Sequence, residues 1–279
     1  MNEKRWIDLK LDAETGIETI RAHFEGHAYD PHWHDWYLVG FTEQGVQQFN
    51  CRKRLHSSVA GQAFLLEPGE IHDGRAPSPD GFTYSTLYLQ PTWLETQLRE
   101  VFSDAPDDCL PSFAETLADE PDLLSHISHA FQAIHAKELR IVRHAAIDGL
   151  LEKLSSQMHW RRRLDTSPRM PAVAIRARDY LHAHLDEDIG LDELATVTGV
   201  DRFRLSRAFK ASFGLAPHAY LVQLRLSLAR KLLRQGLAPA SVATELGFSD
   251  QSHLGRWFRR TYGLSPAAYR KHCSNLPDG

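Results

Sequence analysis

Short apolar and β-branched runs alternate with turn-forming residues through the first third of the chain. The runs cover residues 37–42, 46–49, 63–66 and 82–89. The segments between them combine glycine or proline with polar residues, at 43–45, 68–69 and 77–81. Short strands separated by turns at this spacing are typical of an antiparallel sandwich or barrel. The pattern therefore predicts an antiparallel β domain in the N-terminal part of the chain.

A different pattern, an apolar stripe with a period of four residues, covers about residues 122–160. Its members include Val142, Ala146, Leu150, Leu154 and Met158. This spacing places them on one face of a helix. The face packs either on its own domain or against the same face of a second subunit, and the sequence leaves both possibilities open.

The stripe is followed by a segment that disfavours helix. After the arginine triplet at 161–163 come Thr166, Ser167, Pro168 and Pro171. Two prolines among small polar residues stop a helix and favour an extended, solvated chain. We predict a first domain over 1–160, a linker over 161–171 and a second domain over 172–275.

The second domain contains an internal repeat, which indicates two copies of one supersecondary unit. Ala195-Thr196 and Gly199 recur as Ala243-Thr244 and Gly247. At an offset one residue longer, four further features recur: Leu205, Phe209, Gly214-Leu215 and Pro217 match Leu254, Phe258, Gly263-Leu264 and Pro266. So many matches at two offsets that differ by one residue predict that the two copies share a fold.

Each copy has the pattern of a helix-turn-helix. In the first, Leu191 and Leu194 form the buried face of a short helix, and Gly199 allows a tight turn. Asp201 is expected to cap a second helix, which Gly214 ends. In the second copy Gly247 forms the turn, Ser249 or Asp250 the cap, and Gly263 the end. One longer helix over 217–235 is predicted to join the two units.

Charge is distributed unevenly between the two parts. The formal net charge is −4. From Ala172 to the end there are 15 Lys and Arg against 10 Asp and Glu, whereas residues 1–171 carry 17 against 26. A basic half joined to an acidic one favours a polyanionic partner for the C-terminal domain.

The outward faces of the two second helices carry side chains suited to DNA. They are predicted to be Arg202, Phe203, Arg204, Ser206, Arg207 and Lys210 in the first unit, and Gln251, Ser252, His253, Arg256, Arg259 and Arg260 in the second. A major groove admits an α-helix, in which Arg binds guanine and Gln binds adenine bidentately. The remaining basic side chains contact phosphates. The alternative is a solvated basic face with no partner.

Residues from about 173 to 272 resemble the DNA-binding domain of the AraC/XylS family of transcription regulators. The resemblance implies that helices over about 201–213 and 250–262 enter successive major grooves, about 34 Å apart. It implies base contacts from Phe203, Ser206, Arg207, Gln251, Ser252 and Arg256. Gly255 departs from the polar residue often found at that exposed place. Activation through RNA polymerase is what the family implies, and repression is equally compatible with these residues.

Two short histidine motifs lie in the N-terminal part. Pro31-His32-Trp33-His34 and Pro68-Gly69-Glu70-Ile71-His72 resemble the two motifs of cupin barrels. The resemblance implies a cupin-like domain that binds an effector and dimerises. The predicted fold class is therefore multidomain α+β, with an N-terminal antiparallel β-barrel plus helices and a C-terminal all-α domain.

The three histidines allow more than one role. His32 and His34 share a strand face, and with His72 they have the chemistry of a Zn, Fe, Mn or Ni site. The cupin metal pattern has a carboxylate a few residues later, where this chain has Leu38 and Val39. We therefore predict no metal and no other cofactor. The predicted effector contacts are His32, His34, Trp36, His72 and Tyr88, and structural hydrogen bonding is the alternative.

The remaining sequence features limit the class of protein. The N-terminus lacks the apolar core of a signal peptide, and no run approaches the roughly 18 apolar residues of a membrane helix. The three cysteines have no metal-ligand spacing, which favours reduced thiols in a cytosol. We predict a cytoplasmic, non-enzymatic, homodimeric regulator whose partners are double-stranded DNA, a small-molecule effector and RNA polymerase, with no membrane partner. A metal-dependent cupin enzyme and a regulator without an effector are the alternatives.

Overall fold

The structure is a computed structural model that describes residues 5–101, 109–162 and 170–273. It divides into two compact units, Met1–Arg163 and Leu164–Gly279. Most of the predicted linker, residues 163–169, lies outside the described residues. No helix in the described part of the chain is long and apolar enough to span a membrane.

The first unit is built on antiparallel strands. In chain order they are β1 (Trp6–Leu11), β2 (Glu18–Phe24), β3 (His27–His32), β4 (Tyr37–Cys51), β5 (Arg54–Val59), β6 (Ala63–Leu66), β7 (His72–Arg75), β8 (Phe82–Leu89), β9 (Cys109–Phe113), β10 (Leu117–Ala118) and β11 (Met158–Arg162). The main sheet has the order β1-β2-β8-β4-β6-β10, and β7 joins β3 to β4. The predicted antiparallel domain is confirmed, although hydrogen bonding among the described strands does not close it into a barrel.

Strand β4 corrects one predicted turn. Residues 43–45 do not reverse the chain, and β4 continues through them for 15 residues. The pairing with β8 shifts register between Thr42 and Gln44, which marks a β-bulge. Gly45 has a φ of 75°, and a Cβ there would lie 2.2 Å from the carbonyl oxygen of Gly81. Glycine is therefore required for the close approach of two strands, not for a turn.

Among the described residues of the first unit, three helices accompany the sheet: α1 (Pro91–Val101), α2 (Pro121–His135) and α3 (Arg140–Ser156). The predicted stripe over 122–160 is thus two helices followed by strand β11. Ala146, Leu150 and Leu154 are buried in a core shared with Val39 and Leu87 of the sheet. Most of the stripe therefore packs on its own domain, which decides between the two possibilities for those residues.

Strand β11 extends into the first residues of the predicted linker. Met158, Trp160 and Arg161 belong to β11, which pairs with β9. The guanidinium of Arg161 also lies 3.0 Å from the carboxylate of Glu67, whose side chain is buried. The first residues of the predicted linker therefore belong to the N-terminal fold.

The second unit is all α-helical in its described residues. Its helices are α4 (Ala172–Ala183), α5 (Leu191–Thr198), α6 (Arg202–Phe213), α7 (Pro217–Arg234), α8 (Pro239–Glu245), α9 (Gln251–Tyr262) and α10 (Pro266–Cys273). Helices α5 and α6 form the first predicted helix-turn-helix, and α8 and α9 form the second. Helix α7 joins them, as the pattern predicts.

The internal repeat appears in the packing of the second unit. Phe209 of α6 packs against Tyr220 with ring centroids 5.3 Å apart, and its counterpart Phe258 packs against Tyr269 at 5.6 Å. Both phenylalanines are fully buried. One prediction for the first helix-turn-helix was wrong. Leu191 is 41% exposed and does not contribute to the buried face of α5.

Candidate nucleic-acid interface and histidine cluster

The two outer helices of the helix-turn-helix units begin at aspartate caps. Asp201 Oδ1 accepts hydrogen bonds from the backbone nitrogens of Phe203 and Arg204, at 3.0 and 2.9 Å. Asp250 Oδ1 accepts one from His253 at 2.7 Å. Backbone hydrogen bonds hold the pKa of both carboxyls below its usual value. Asp250, rather than Ser249, is therefore the cap of α9.

Most predicted DNA contacts lie on the exposed face of these helices. The exposed residues are Arg202, Phe203, Arg204, Arg207, Lys210, Gln251, Ser252, Arg256, Arg259 and Arg260, whereas Ser206 and His253 are half-buried. Phe203 is 68% exposed, an unusual environment for a large apolar ring on a helix. The second helix of each helix-turn-helix thus presents a basic surface. Most side chains on that surface do not belong to the hydrophobic core.

His253 has a structural position that the sequence did not predict. Its Nε2 accepts a hydrogen bond from the indole of Trp257 at 2.9 Å. Nδ1 then carries the ring proton and donates to Ser249 Oγ at 3.1 Å. Because both ring nitrogens are engaged, His253 fixes the turn before α9 and the position of Trp257.

Gly255 does not lie at an exposed position of α9, contrary to the prediction from the sequence. It is buried. A Cβ at this position would meet its nearest neighbour, the Nη1 of Arg259, only at 4.0 Å. The helix therefore has room for a side-chain methyl group there, and no close backbone approach explains the glycine.

In the first unit, the structure brings the three motif histidines together. His32, His34 and His72 are all buried, and their potential ligand atoms lie within 4.8 Å of one another. His32 Nε2 and His34 Nε2 are 3.1 Å apart. His32 and His72 lie opposite each other in the β3–β7 pairing. Burial lowers the pKa of His72, which favours the neutral imidazole.

Of the other two predicted effector contacts, Tyr88 and Trp36, the structure places Tyr88 directly against this cluster. The ring of Tyr88 packs edge-on against His34 with centroids 5.1 Å apart. Trp36 is half-buried in the segment between β3 and β4. Nearby on the same sheet, the hydroxyl groups of Tyr29 and Tyr84 form a hydrogen bond of 2.5 Å. Rings of Phe24, Phe82 and Tyr84 stack beside them, so aromatic side chains occupy much of this face.

A cavity of about 650 Å³ lies elsewhere in the first unit, between the sheet and α2. Phe41, Leu124 and Phe131 form its apolar wall, and Lys10, Glu43 and His135 contribute polar groups. Glu43 also binds Arg21 and the hydroxyl of Ser85. The sequence did not predict this cavity, because its residues come from separate strands and a helix that only the fold brings together.

Comparison with known proteins places these two units in one family. Residues 14–163 match the AraC-like ligand binding domain, which is more than half of the chain. The chain belongs to the AraC family of transcription regulators. Residues 194–272 match a helix-turn-helix domain, so this family member combines an N-terminal ligand-binding domain with a C-terminal DNA-binding one.

Relatives along most of the chain are regulators too. An uncharacterised HTH-type transcriptional regulator of Bacillus subtilis, YbfI, is 27% identical over 253 residues, which cover 91% of this chain and 90% of YbfI. The arabinose operon regulatory protein of Escherichia coli is 28% identical over 257 residues, covering 85% and 81% of the two chains.

A solved structure shares the two-domain fold. Apo ToxT from Vibrio cholerae matches with a TM-score of 0.53 at 13% identity, over 95% of this chain and 100% of that one. The predicted two-domain α+β fold class is therefore confirmed, and the match of residues 14–163 confirms the predicted family.

Proposed function

We propose that this AraC-family protein binds specific double-stranded DNA with α6 and α9 in successive major grooves, under the control of a small-molecule effector. The observation that carries the proposal is the pair of aspartate-capped helices with exposed arginines, Arg207 on α6 and Arg256 on α9. A helix of this kind fits a major groove, and two units in one domain fit two grooves on one face of the duplex.

The side chains divide into two roles in this proposal. Arg207 and Arg256, with Phe203, Ser206, Gln251 and Ser252, contact base edges. Arg202, Arg204, Lys210, Arg259 and Arg260 contact phosphates, which set the register of the protein on DNA. His253 acts as a positioning residue, because Ser249 and Trp257 engage both of its ring nitrogens.

Selection of genomic DNA fragments by the purified full-length protein tests this proposal. At near-physiological salt we expect a motif with two blocks about one helical turn apart. The same selection with Arg207→Ala and Arg256→Ala combined is expected to lose the motif. Recovery of random fragments by both proteins would show that the basic faces bind only the DNA backbone.

For the effector we propose the cavity beside α2. Its volume of about 650 Å³ falls within the roughly 300–1,000 Å³ of small-molecule sites. Its apolar wall with a few polar groups is also typical of such sites. The sequence-based contacts His32, His34, Trp36, His72 and Tyr88 stay a prediction. To act as a regulator, the effector must bind the active arrangement more tightly than the inactive one.

One substitution that fills the cavity and one that removes the aromatic ring beside the histidines separate the two candidate effector sites. A small-molecule library is screened by thermal shift, and each hit is titrated against Leu124→Trp and Tyr88→Leu. A hit from the cavity loses affinity with Leu124→Trp alone. Loss with Tyr88→Leu alone would transfer the effector to the histidine cluster.

We also propose a homodimer that acts with RNA polymerase in the cytoplasm and has no enzymatic activity of its own. Exposed apolar side chains at the start of α3 support self-association: Leu139 is 74% exposed and Ile141 77%. Sedimentation equilibrium of the protein and of an Ile141→Glu variant tests this, since the charged side chain should shift the variant toward monomer. A wild-type monomer at micromolar concentration would overturn the dimer.

A further inference from the structure

We propose that His32, His34 and His72 bind one divalent transition-metal ion through their Nε2 atoms. Among the described residues, these three form the group of His, Cys, Asp or Glu side chains whose ligand atoms lie within 4.8 Å of one another. The proposal goes beyond DNA binding and effector control, since neither requires a metal. It replaces the sequence-based prediction of no metal, because the fold brings the three imidazoles together.

Hydrogen bonds orient two of the three rings as metal ligands. His32 Nδ1 lies 2.7 Å from the carbonyl oxygen of Asp30, and His72 Nδ1 lies 2.9 Å from that of Glu70. A carbonyl only accepts, so each Nδ1 carries the proton and each Nε2 carries a lone pair. Histidines that bind metals are oriented by such bonds from the other ring nitrogen.

The separation of the His32 and His34 nitrogens matches the size of a metal ion. Zinc binds imidazole nitrogen at about 2.0–2.1 Å, so two ligands of a tetrahedral ion lie about 3.3 Å apart. His32 Nε2 and His34 Nε2 are 3.1 Å apart. Without metal, His34 Nε2 donates its proton to His32 Nε2. With metal, that proton moves to His34 Nδ1, and both Nε2 lone pairs point to the ion.

The donor set selects the kind of ion. Three neutral imidazoles favour Zn²⁺, Co²⁺, Ni²⁺ or Cu²⁺ over the hard ions Mg²⁺ and Ca²⁺, which take oxygen ligands. Three protein ligands also leave a coordination position for water or for an anion. Glu18, which is fully buried, pairs with Tyr88 across the sheet, and the Tyr88 ring packs on His34.

Metal titration of the full-length protein tests the site directly. The purified protein is stripped with a chelator and titrated with Zn²⁺ by calorimetry and with Co²⁺ by visible spectroscopy. We expect one equivalent of each and the intense bands of four-coordinate Co²⁺. His34→Gln and His72→Asn keep a polar group in place but remove an imidazole. Each should weaken Zn²⁺ binding by at least about 100-fold, because even an outer-shell partner contributes 10–100-fold.

The controls separate the site from other histidines and from loss of folding. His27→Gln, an exposed change on the same strand β3, should leave the titrations unchanged. Thermal melts report whether each variant is folded, and DNA-fragment binding by the C-terminal unit tests the proposed function separately from the metal result. The proposal is overturned if wild-type protein gives no four-coordinate Co²⁺ spectrum, or if that spectrum persists in both His34→Gln and His72→Asn.

Discussion

Arg225 of α7 donates a hydrogen bond of 2.7 Å from Nη1 to the carbonyl oxygen of Gly247, in the turn of the second helix-turn-helix. Its other guanidinium nitrogens donate to the carbonyl oxygens of Leu185 and Glu187, both at 2.7 Å. Leu185 and Glu187 lie in the segment between α4 and α5, which precedes the first helix-turn-helix. One side chain of the joining helix therefore connects the segment before the first helix-turn-helix to the turn of the second.

Replacing Arg225 with Met should destabilise the C-terminal unit by roughly 3 kcal/mol or more. Three carbonyls lose a charged donor, and hydrogen bonds to charged groups contribute about 1.5–3 kcal/mol each. Urea denaturation followed by circular dichroism measures the change. Lys231→Met on the same helix is the matched control, since Lys231 is exposed. Equal stability of the two variants would contradict the connecting role.

The repeat provides a matched pair of glycine substitutions. Gly199 and Gly247 have similar φ values of 71° and 67°. A Cβ at Gly199 meets nothing within 4 Å, whereas at Gly247 it would lie 2.1 Å from the carbonyl oxygen of Asp186. Gly199→Ala should cost about 1–2 kcal/mol for the left-handed conformation alone. Gly247→Ala should cost clearly more, and thermal melts that rank them in the opposite order would reject this account.

Gly255→Ala should stabilise the C-terminal unit by about 1 kcal/mol. Glycine inside a helix is less favourable than alanine by that amount, and a Cβ at this position has room. A higher midpoint in urea denaturation would confirm the gain. A lower midpoint would mean that the backbone at Gly255 is packed more tightly than these contacts indicate.

Arg207 and Lys210, both exposed on α6, should differ in what they do on DNA. If Arg207 binds a guanine, Arg207→Ala costs roughly 1–3 kcal/mol at the selected site and relaxes one base preference. Lys210→Ala should weaken binding to all sequences alike and reduce the salt slope by about one. Fluorescence anisotropy against matched and mismatched duplexes at several salt concentrations checks both. Uniform weakening with Arg207→Ala would reassign that residue to phosphate contact.

The stability of the first unit should depend on His135. Burial lowers the pKa of His135, and the positive charges of Lys10 and Arg21 lower it further. Asp8, which lies 3.0 Å from Nε2, opposes this shift without cancelling it. Below about pH 6.5 the unfolded histidine takes up a proton before the folded one does. The free energy of unfolding therefore falls as the pH drops through that value.

Denaturation curves between pH 8 and pH 5 measure this dependence. The wild-type protein should lose more stability on acidification than His135→Gln, with the exposed His27→Gln as the control. Identical pH dependence of wild-type protein and His135→Gln would remove His135 as the cause.

The sequence alone determined the features that depend on neighbours along the chain. Strands over 63–66 and 82–89 have the predicted bounds. The helix-turn-helix units were also predictable, because helix periodicity, aspartate caps and terminal glycines act within a few residues. Repetition of the same pattern strengthened that prediction.

Only the tertiary structure decided the features that depend on distant pairing. Gly45 is adjacent to Gly81 only when β4 pairs with β8, and Met158 is in a strand because β9 pairs with it. The three motif histidines also meet only through the β3–β7 pairing and the segment that follows β3. Local periodicity carries no information on which distant segments become neighbours, since burial and hydrogen bonding across strands make that choice.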